Sequence, residues 1–334
     1  MIAVVTGASG FIGRHLVTSL CMAGAEVRVL RRPGSRPGPA SQPASAVRSQ
    51  VVDVLDADAV MRSDLWDGAT HVFHLAGATR GVRALDFTRA NVVPTAHIAR
   101  ALAQRPHPPR LVLVSSQAAA GATPVDVPVR TESMLPVPFE AYGRSKLDAE
   151  RAAWQWRAQV PITILRPSAV YGPGDRDFLH ALKQVHRRTA WIAAEPQQGL
   201  SLVYVHDLVA CLVQVASHPA AVGQCWFVTH DTPVTWPSLY EAMAVAVGSS
   251  PRLAIVPRGL LRGAALVGDA VGYLTNRPPL LTSQKLALAL APSWVCSAGE
   301  VARTTGWRAT TPLAAGLEET VRACRAVGWL PARP

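Results

Sequence analysis

Tyr142 and Lys146 stand four residues apart in Tyr142-Gly143-Arg144-Ser145-Lys146. On a helix that spacing puts a phenol and an ammonium on one face, where the cation favours the phenolate and so tunes a proton donor. An unperturbed phenol, with a pKa of about 10, is a slow acid-base group near neutrality. By itself the pair is commonplace on solvated helix faces. It gains meaning from Ser115-Ser116 and from the segment Thr6-Gly7-Ala8-Ser9-Gly10-Phe11-Ile12-Gly13 upstream.

The elements that would position these groups are legible nearby. Residues 2–5 read as a buried parallel strand, Gly7, Gly10 and Gly13 as a tight turn, and residues 14–23 as the helix that follows. In that setting the glycines allow a sharp turn, close approach of backbone amides to a pyrophosphate, and close packing of helix on strand, with the helix N-terminus facing the phosphates. A glycine loop of this kind followed by Ser116, Tyr142 and Lys146 points to a nicotinamide-dependent oxidoreductase. Residues 110–114 form an apolar strand, and a hydroxyl at its C-terminal end, Ser116, sits where open α/β sheets bind ligands. Ser115 reads as the neighbour that satisfies backbone groups.

These features, with His74-Leu75-Ala76-Gly77, Asn91 and Arg166-Pro167-Ser168-Ala169-Val170-Tyr171-Gly172-Pro173-Gly174-Asp175, resemble the extended short-chain dehydrogenase/reductase superfamily, which includes the NAD-dependent epimerases and dehydratases. The resemblance runs nearly end to end. It implies an α/β fold, a Rossmann-type doubly wound parallel sheet with a smaller C-terminal substrate-binding lobe. The nucleotide-binding domain would span 1–171, with a return around 200–216, and the lobe mainly 172–330. Ser116, Tyr142 and Lys146 would be catalytic. Cofactor contacts would come from Gly7, Ser9, Gly10, Phe11, Ile12, Gly13, Asp53, Val54, Leu75, Ala76, Gly77, Tyr142 and Lys146, and from Pro167 and Val170 in a loop near the nicotinamide. Asn91 resembles an element that stabilises the central sheet, with Pro94 where the family has glycine, and is read as structural. Tyr171 is read as packing.

Residues 26–30 read as the second strand, and Arg31-Arg32 end it where NAD-binding relatives carry an acidic residue for the ribose diol. Arginine pairs with a 2′-phosphate that a carboxylate would repel, so NADP(H) is preferred, with NAD(H) still admitted. Residues 33–43 have loop composition. Residues 51–54 read as the third strand, with Asp53 either meeting the adenine or capping the turn into a helix over 57–66. Residues 70–75 read as the fourth strand, 140–156 as the helix carrying Tyr142 and Lys146, and 161–167 as the next strand. His206, in Leu202-Val203-Tyr204-Val205-His206-Asp207-Leu208, has no second ligand at metal spacing and reads as hydrogen-bonded structure. No metal is expected.

With 334 residues, 49% hydrophobic and 16% charged, the chain can bury a large core. Its net charge of +11 is scattered without a basic stripe or interleaved aromatics, so it suits anionic small molecules better than nucleic acid. The five cysteines are odd in number and lack Cys-x-x-Cys spacing, and they read as reduced core residues. No charged segment followed by an apolar run opens the chain, so the reading is cytoplasmic. Residues 253–274 are apolar but interrupted by Arg258, Arg262 and Asp269, which argues against a membrane span or anchor and for the wall of an apolar pocket or an amphipathic surface helix. Partners reduce to a small-molecule substrate and, as an open option, a second copy in a homodimer.

The Ser/Tyr/Lys set does not select a substrate. Residues 257–274, Arg277-Pro278-Pro279-Leu280-Leu281-Thr282, Gly306-Trp307 and Gly328-Trp329-Leu330 resemble the flavonoid-reductase and 3β-hydroxysteroid dehydrogenase-like branch. The expectation is hydride transfer between the nicotinamide and a carbonyl or hydroxyl of a mostly apolar molecule. A nucleoside-diphosphate-sugar 4-epimerase using the same groups is the alternative, with Arg176, Arg187, Arg188 and Arg252 as its cations. A dehydratase lacks its carboxylates, since Gln117-Ala118-Ala119-Ala120 follows the serine. A nucleotide-binding sensor or scaffold without turnover is the third reading.

Overall fold

In the computed structural model, which describes residues 1–35, 47–192, 195–275, 279 and 281–332, seven strands form one parallel sheet. They are β1 (Ile2–Thr6), β2 (Glu26–Arg31), β3 (Val47–Val51), β4 (His71–His74), β5 (Arg110–Val114), β6 (Ile162–Pro167) and β7 (Cys225–Val228), in the order β7-β6-β5-β4-β1-β2-β3. The chain leaves β1 toward β2 on one side and later places β4 on its other side. The C-terminal ends of β1 and β4 therefore flank the switch point where such sheets open a crevice.

Both faces of the sheet are covered, which is why its strands read as continuous apolar runs. Ala3, Val5, Val27, Val29, Phe73, Val112 and Leu165 pack against α1 (Phe11–Met22) through Leu16 and Leu20. Val4, Leu30, Val72, Leu111, Leu113 and Ile164 pack the other way, against Ile98 and Leu102 of α2 (Val93–Ala103) and Ala153 of α3 (Ala141–Trp154). The helix α4 (Val205–Ser217) returns to the first face with Leu208 and Leu212.

Several boundaries differ from the sequence reading. The third strand is 47–51, not 51–54; Val52 and Val54 are buried because the chain turns beneath the sheet there, so their hydrophobicity reflects packing and not pairing. The helix expected over 57–66 breaks into Ala57–Met61 and a short turn at Asp64–Trp66, where the Ser63 hydroxyl accepts from the Leu65 amide and starts a new cap. The first helix begins at Phe11, before Arg14. The sequence reading did not assign β7, which pairs with β6.

A second core gathers Leu179, Leu182, Val185, Ile192, Leu239, Met243, Val247, Leu317 and Val321. The long helix α5 (Arg258–Thr275) is held at its edge, with Leu261 and Ala265 packed on Leu286. None of the five cysteines is in a disulfide, and burial raises the pKa of Cys296 to about 12. Most of the 33–43 loop and Arg277, Pro278 and Leu280 lie outside the described residues.

Candidate active site

At the switch point the chain must turn from β1 into α1 beneath the end of β4. Gly7 adopts φ +72°, and a Cβ there would come within 2.7 Å of the Ala76 amide nitrogen. A Cβ on Gly13 would lie 2.1 Å from the Gly7 carbonyl oxygen. These two positions therefore demand glycine. The N-terminus of α1 carries no side-chain cap and no acidic residue in its first turn, so its amides and positive dipole end suit an anion.

A cavity of about 410 Å³ opens over this turn, within the range of small-molecule sites. Gly7, Ser9, Gly10, Arg31, Arg32, Asp53, Val54, Leu75, Ala76 and Gly77 line it, joined by Arg89 and Pro94, which the sequence reading did not include. The Arg31 guanidinium donates through Nη2 to the Ser35 carbonyl at 2.8 Å, while its buried Nε has no hydrogen-bond partner among the described residues. Asp53 accepts from the Leu55 amide at 3.0 Å, so it stabilises a turn as well as facing the cavity. A glycine floor, free helix amides and an orphaned buried guanidinium nitrogen fit a dinucleotide with a phosphorylated end. The other predicted contacts lie outside this wall: Phe11 stacks edge-on with His15, Ile12 packs between the two cores, Pro167 ends β6 opposite Val228, and Val170 packs with the cores.

The helix α3 is started by Glu140, whose carboxylate accepts from the Tyr142 amide at 2.6 Å and from the Gly143 amide. A Cβ on Gly143 would lie 2.4 Å from the Ala118 carbonyl oxygen, so this glycine lets α3 sit close on the Gln117–Ala120 turn. Ser116 caps that turn by accepting from the Ala118 amide at 3.2 Å. The result brings the Ser116 hydroxyl to the Tyr142 phenol, with Lys146 one turn further along α3. Burial pushes the Tyr142 phenol up, the Ser116 hydroxyl pulls it down, and the negative Glu140 adds to the rise. The net shift is upward, and the lowering expected from Lys146 is not among its causes. The Lys146 ammonium instead donates to the Val114 carbonyl at 2.7 Å, and burial brings its own pKa down to about 8 against the pull of Glu150.

A second cavity, about 490 Å³, takes Tyr142 in its wall together with Phe87, Gly272, Tyr273, Pro279 and Leu288. Its polar lining is Thr79, Arg80, Glu140, Asp269, Thr282, Ser283, Gln284 and Lys285. The expected apolar segment therefore contributes to the wall, but only through its inner edge, and the cavity is more mixed than that segment suggested. Residues 75–82 run from the first cavity to the second.

Two buried networks hold this geometry, and the sequence reading saw neither. The Thr6 hydroxyl meets His74 Nδ1 at 2.6 Å, His74 Nε2 meets the Thr95 hydroxyl at 3.0 Å, and Thr95 donates to the Asn91 carbonyl at 2.7 Å. Since Thr95 spends its proton on that carbonyl, His74 donates from Nε2 and accepts at Nδ1. Burial, with the Lys146 charge, drives the His74 pKa down to about 3. Asn91, in a π-turn, accepts from the Ala78 amide and donates to Ser145, in line with its structural reading, while Pro94 falls in the first turn of α2 where proline is tolerated. In the second network the Ser115 hydroxyl donates to Glu150, which holds Arg166 through bonds of 2.9 and 2.6 Å. Ser115 thus serves a side chain, not the backbone. The signals were Glu150 one turn beyond Lys146 and Arg166 at a strand end, charges on elements otherwise buried.

His206 meets His15 at 3.1 Å, and among the described residues no group of three His, Cys, Asp or Glu could hold a metal. Tyr171 stacks on Phe178 and packs at a tilt against Tyr204.

The family model for the NAD dependent epimerase/dehydratase family matches residues 3–226. The chain belongs to this family. It is an NAD(P)-dependent enzyme of the extended short-chain dehydrogenase/reductase type. It is 32% identical to a ceramide reductase from Caulobacter vibrioides over 99% of this chain and 96% of that protein. It is 28% identical to a 4-hydroxy-2-methyl-3-oxo-4-farnesyl-3,4-dihydroquinoline-1-oxide ketoreductase from Stigmatella aurantiaca, over 80% of this chain and 79% of that one. Among solved structures, MoeE5 in complex with UDP-glucuronic acid and NAD superposes with a TM-score of 0.78 at 25% identity, covering 98% of this chain and all of that one. Among the described residues no helix is long and apolar enough to cross a membrane.

Proposed function

We infer that this enzyme is an NADP(H)-dependent reductase that delivers hydride to the carbonyl carbon of a mostly apolar, lipid-like molecule. The observation that carries the reading is Tyr142, a half-buried phenol in the wall of the lobe's cavity, beside the loop that leads to the glycine-floored groove. The nicotinamide, when bound, supplies the hydride. The groove's glycines and α1 amides would hold the pyrophosphate, and Arg31 and Arg32 the 2′-phosphate. Because burial raises its pKa, Tyr142 stays protonated at neutral pH, the form needed to protonate a developing alkoxide. Ser116 would donate a second hydrogen bond to the same oxygen, and Lys146 would hold the nicotinamide ribose. Domain 1–171, with its return, would carry the cofactor, and the lobe the substrate.

Similarity to a ceramide reductase across nearly the whole chain supports a lipid-like substrate. So does the fact that Arg176, Arg187, Arg188 and Arg252 stand outside the wall of the Tyr142 cavity; Arg176 lies over the Trp329 ring instead. Arg80 and Lys285, which do line it, favour the second reading, a nucleoside-diphosphate-sugar 4-epimerase. NADPH consumption measured with long-chain lipid ketones, other hydrophobic ketones and nucleoside-diphosphate sugars separates them. Turnover of the lipid ketones supports the reductase; interconversion of sugars without net NADPH loss overturns it.

A further inference from the structure

The helix α5 has two apolar faces, and the fold uses only one. Leu261, Ala265 and Gly272 are buried, and a Cβ on Gly268 would lie 2.0 Å from the Leu281 carbonyl oxygen, so this side is pressed onto the lobe. On the opposite side Leu260, Val267, Val271 and Leu274 recur at helical spacing, 47–82% exposed, with Leu266 and Tyr273 beside them. At 1.5 Å per residue the stripe from Leu260 to Leu274 is about 21 Å long. A contiguous apolar surface of that extent is rare on a protein bathed only by water.

Charges are excluded from the stripe. Arg258, Arg262 and Asp269 share one flank of the helix; Arg258 pairs with Glu195, and Asp269 turns back to the Ser283 hydroxyl and amide. Exposed cations stand beside the helix: Arg262 on that flank, and Arg83, whose guanidinium lies 5.6 Å from the centre of the Tyr273 ring. The inner edge of the same helix supplies Asp269, Gly272 and Tyr273 to the cavity that contains Tyr142.

We propose that α5 docks this enzyme peripherally on an anionic lipid bilayer, with its outer face in the headgroup region and the mouth of the Tyr142 cavity at the membrane surface. Charge complementarity selects this occupant. Two copies of a chain with net charge +11 would bring like-charged rims together at such a face, whereas an anionic surface attracts them. The purpose of docking, direct exchange of substrate with the bilayer, rests on the lipid-like reading above; the docking itself does not. It develops the expectation of an amphipathic surface helix here and amends the expectation that the segment makes no membrane anchor.

Flotation of the full chain with vesicles of phosphatidylcholine, alone or mixed with phosphatidylglycerol, tests the proposal without any turnover. Wild type should float with the mixed vesicles and be released by high salt. Leu260→Glu/Val267→Glu should float about tenfold less, with unchanged circular dichroism and NADPH affinity. If the glutamates unfold the chain, Leu260→Ser/Val267→Ser takes their place. Wild type that ignores both vesicles, variants that float equally, or a dimer in sedimentation that the double variant dissociates would each overturn it. Loss of turnover on every ketone with flotation intact would overturn the functional reading and leave docking standing.

Discussion

The Lys146 ammonium donates to the Val114 carbonyl at 2.7 Å, joining the helix that carries Tyr142 to the end of the strand that precedes Ser116. A buried cation so placed lets a single side chain tie helix to sheet while standing one turn from the phenol. Its pKa of about 8 leaves it largely charged at neutral pH.

Lys146 and Tyr142 should therefore fail differently. Tyr142→Phe removes only the hydroxyl proposed to protonate the forming alkoxide, so turnover should fall about 10²–10⁴-fold with cofactor affinity nearly unchanged. Lys146→Ala should lose turnover and also weaken the cofactor, and should lower stability through the vacated Val114 carbonyl. Steady-state rates on the best substrate, with fluorescence titration of NADPH, check both. A Tyr142→Phe enzyme that keeps most of its rate would remove the phenol from the mechanism.

Under the proposed reading, Arg31 and Arg32 would set the cofactor preference. NADPH should bind more tightly than NADH, and Arg31→Ala/Arg32→Ala should erase the difference, since charge-assisted pairs contribute about 1.5–3 kcal/mol each when well formed. Titration of both cofactors against both proteins decides it. Equal affinities in the wild type would contradict the assignment.

The part of this site visible in the sequence was the part made of close-spaced residues with strict local demands. Gly7 and Gly13 announce themselves because a Cβ cannot fit, and Tyr142 and Lys146 because a helix aligns them. The strands of the sheet were visible where both faces are buried and the run is continuous. The strand at residues 225–228 escaped because it enters the sheet after a long excursion through the lobe, a matter of topology that local pattern does not carry. The edge strand at 47–51 escaped because it is polar and exposed, while the apolar Val52 and Val54 beyond it mimic a strand. The partners of Ser115 and His74 lie 35 and 21 residues away, and no spacing rule joins them.

Glu150 is expected to matter for stability although it touches no reacting group. Its carboxylate holds the buried Arg166 through two bonds and receives the Ser115 hydroxyl. Glu150→Gln leaves a buried guanidinium without its counter-charge, a change that typically costs about 3–5 kcal/mol. Urea unfolding should show a loss of this size, whereas Asp148→Asn, at the exposed pair with Arg151, should change stability by less than about 1 kcal/mol. Similar effects from the two variants would mean the buried network is not what fixes α3 on the sheet.

His74 should give the fold a distinctive sensitivity to acid. Folded, it is locked neutral between Thr6 and Thr95 with a pKa near 3; unfolded, it takes a proton at about 6.5. Below about pH 6.5 the unfolded chain therefore binds a proton that the folded chain refuses, and stability falls with decreasing pH until about pH 3. At about 1.36 kcal/mol per unit, the loss from this group reaches about 2 kcal/mol by pH 5, and it vanishes above about pH 7. His74→Asn removes the titrating group at some constant cost to the network. Urea unfolding at pH 7.5 and pH 5 should show the wild type losing about 2 kcal/mol more than the variant across that interval, whatever their difference at pH 7.5. Equal losses in the two proteins would mean that His74 becomes protonated within the folded state and that the Thr6–His74–Thr95 chain tolerates the charge.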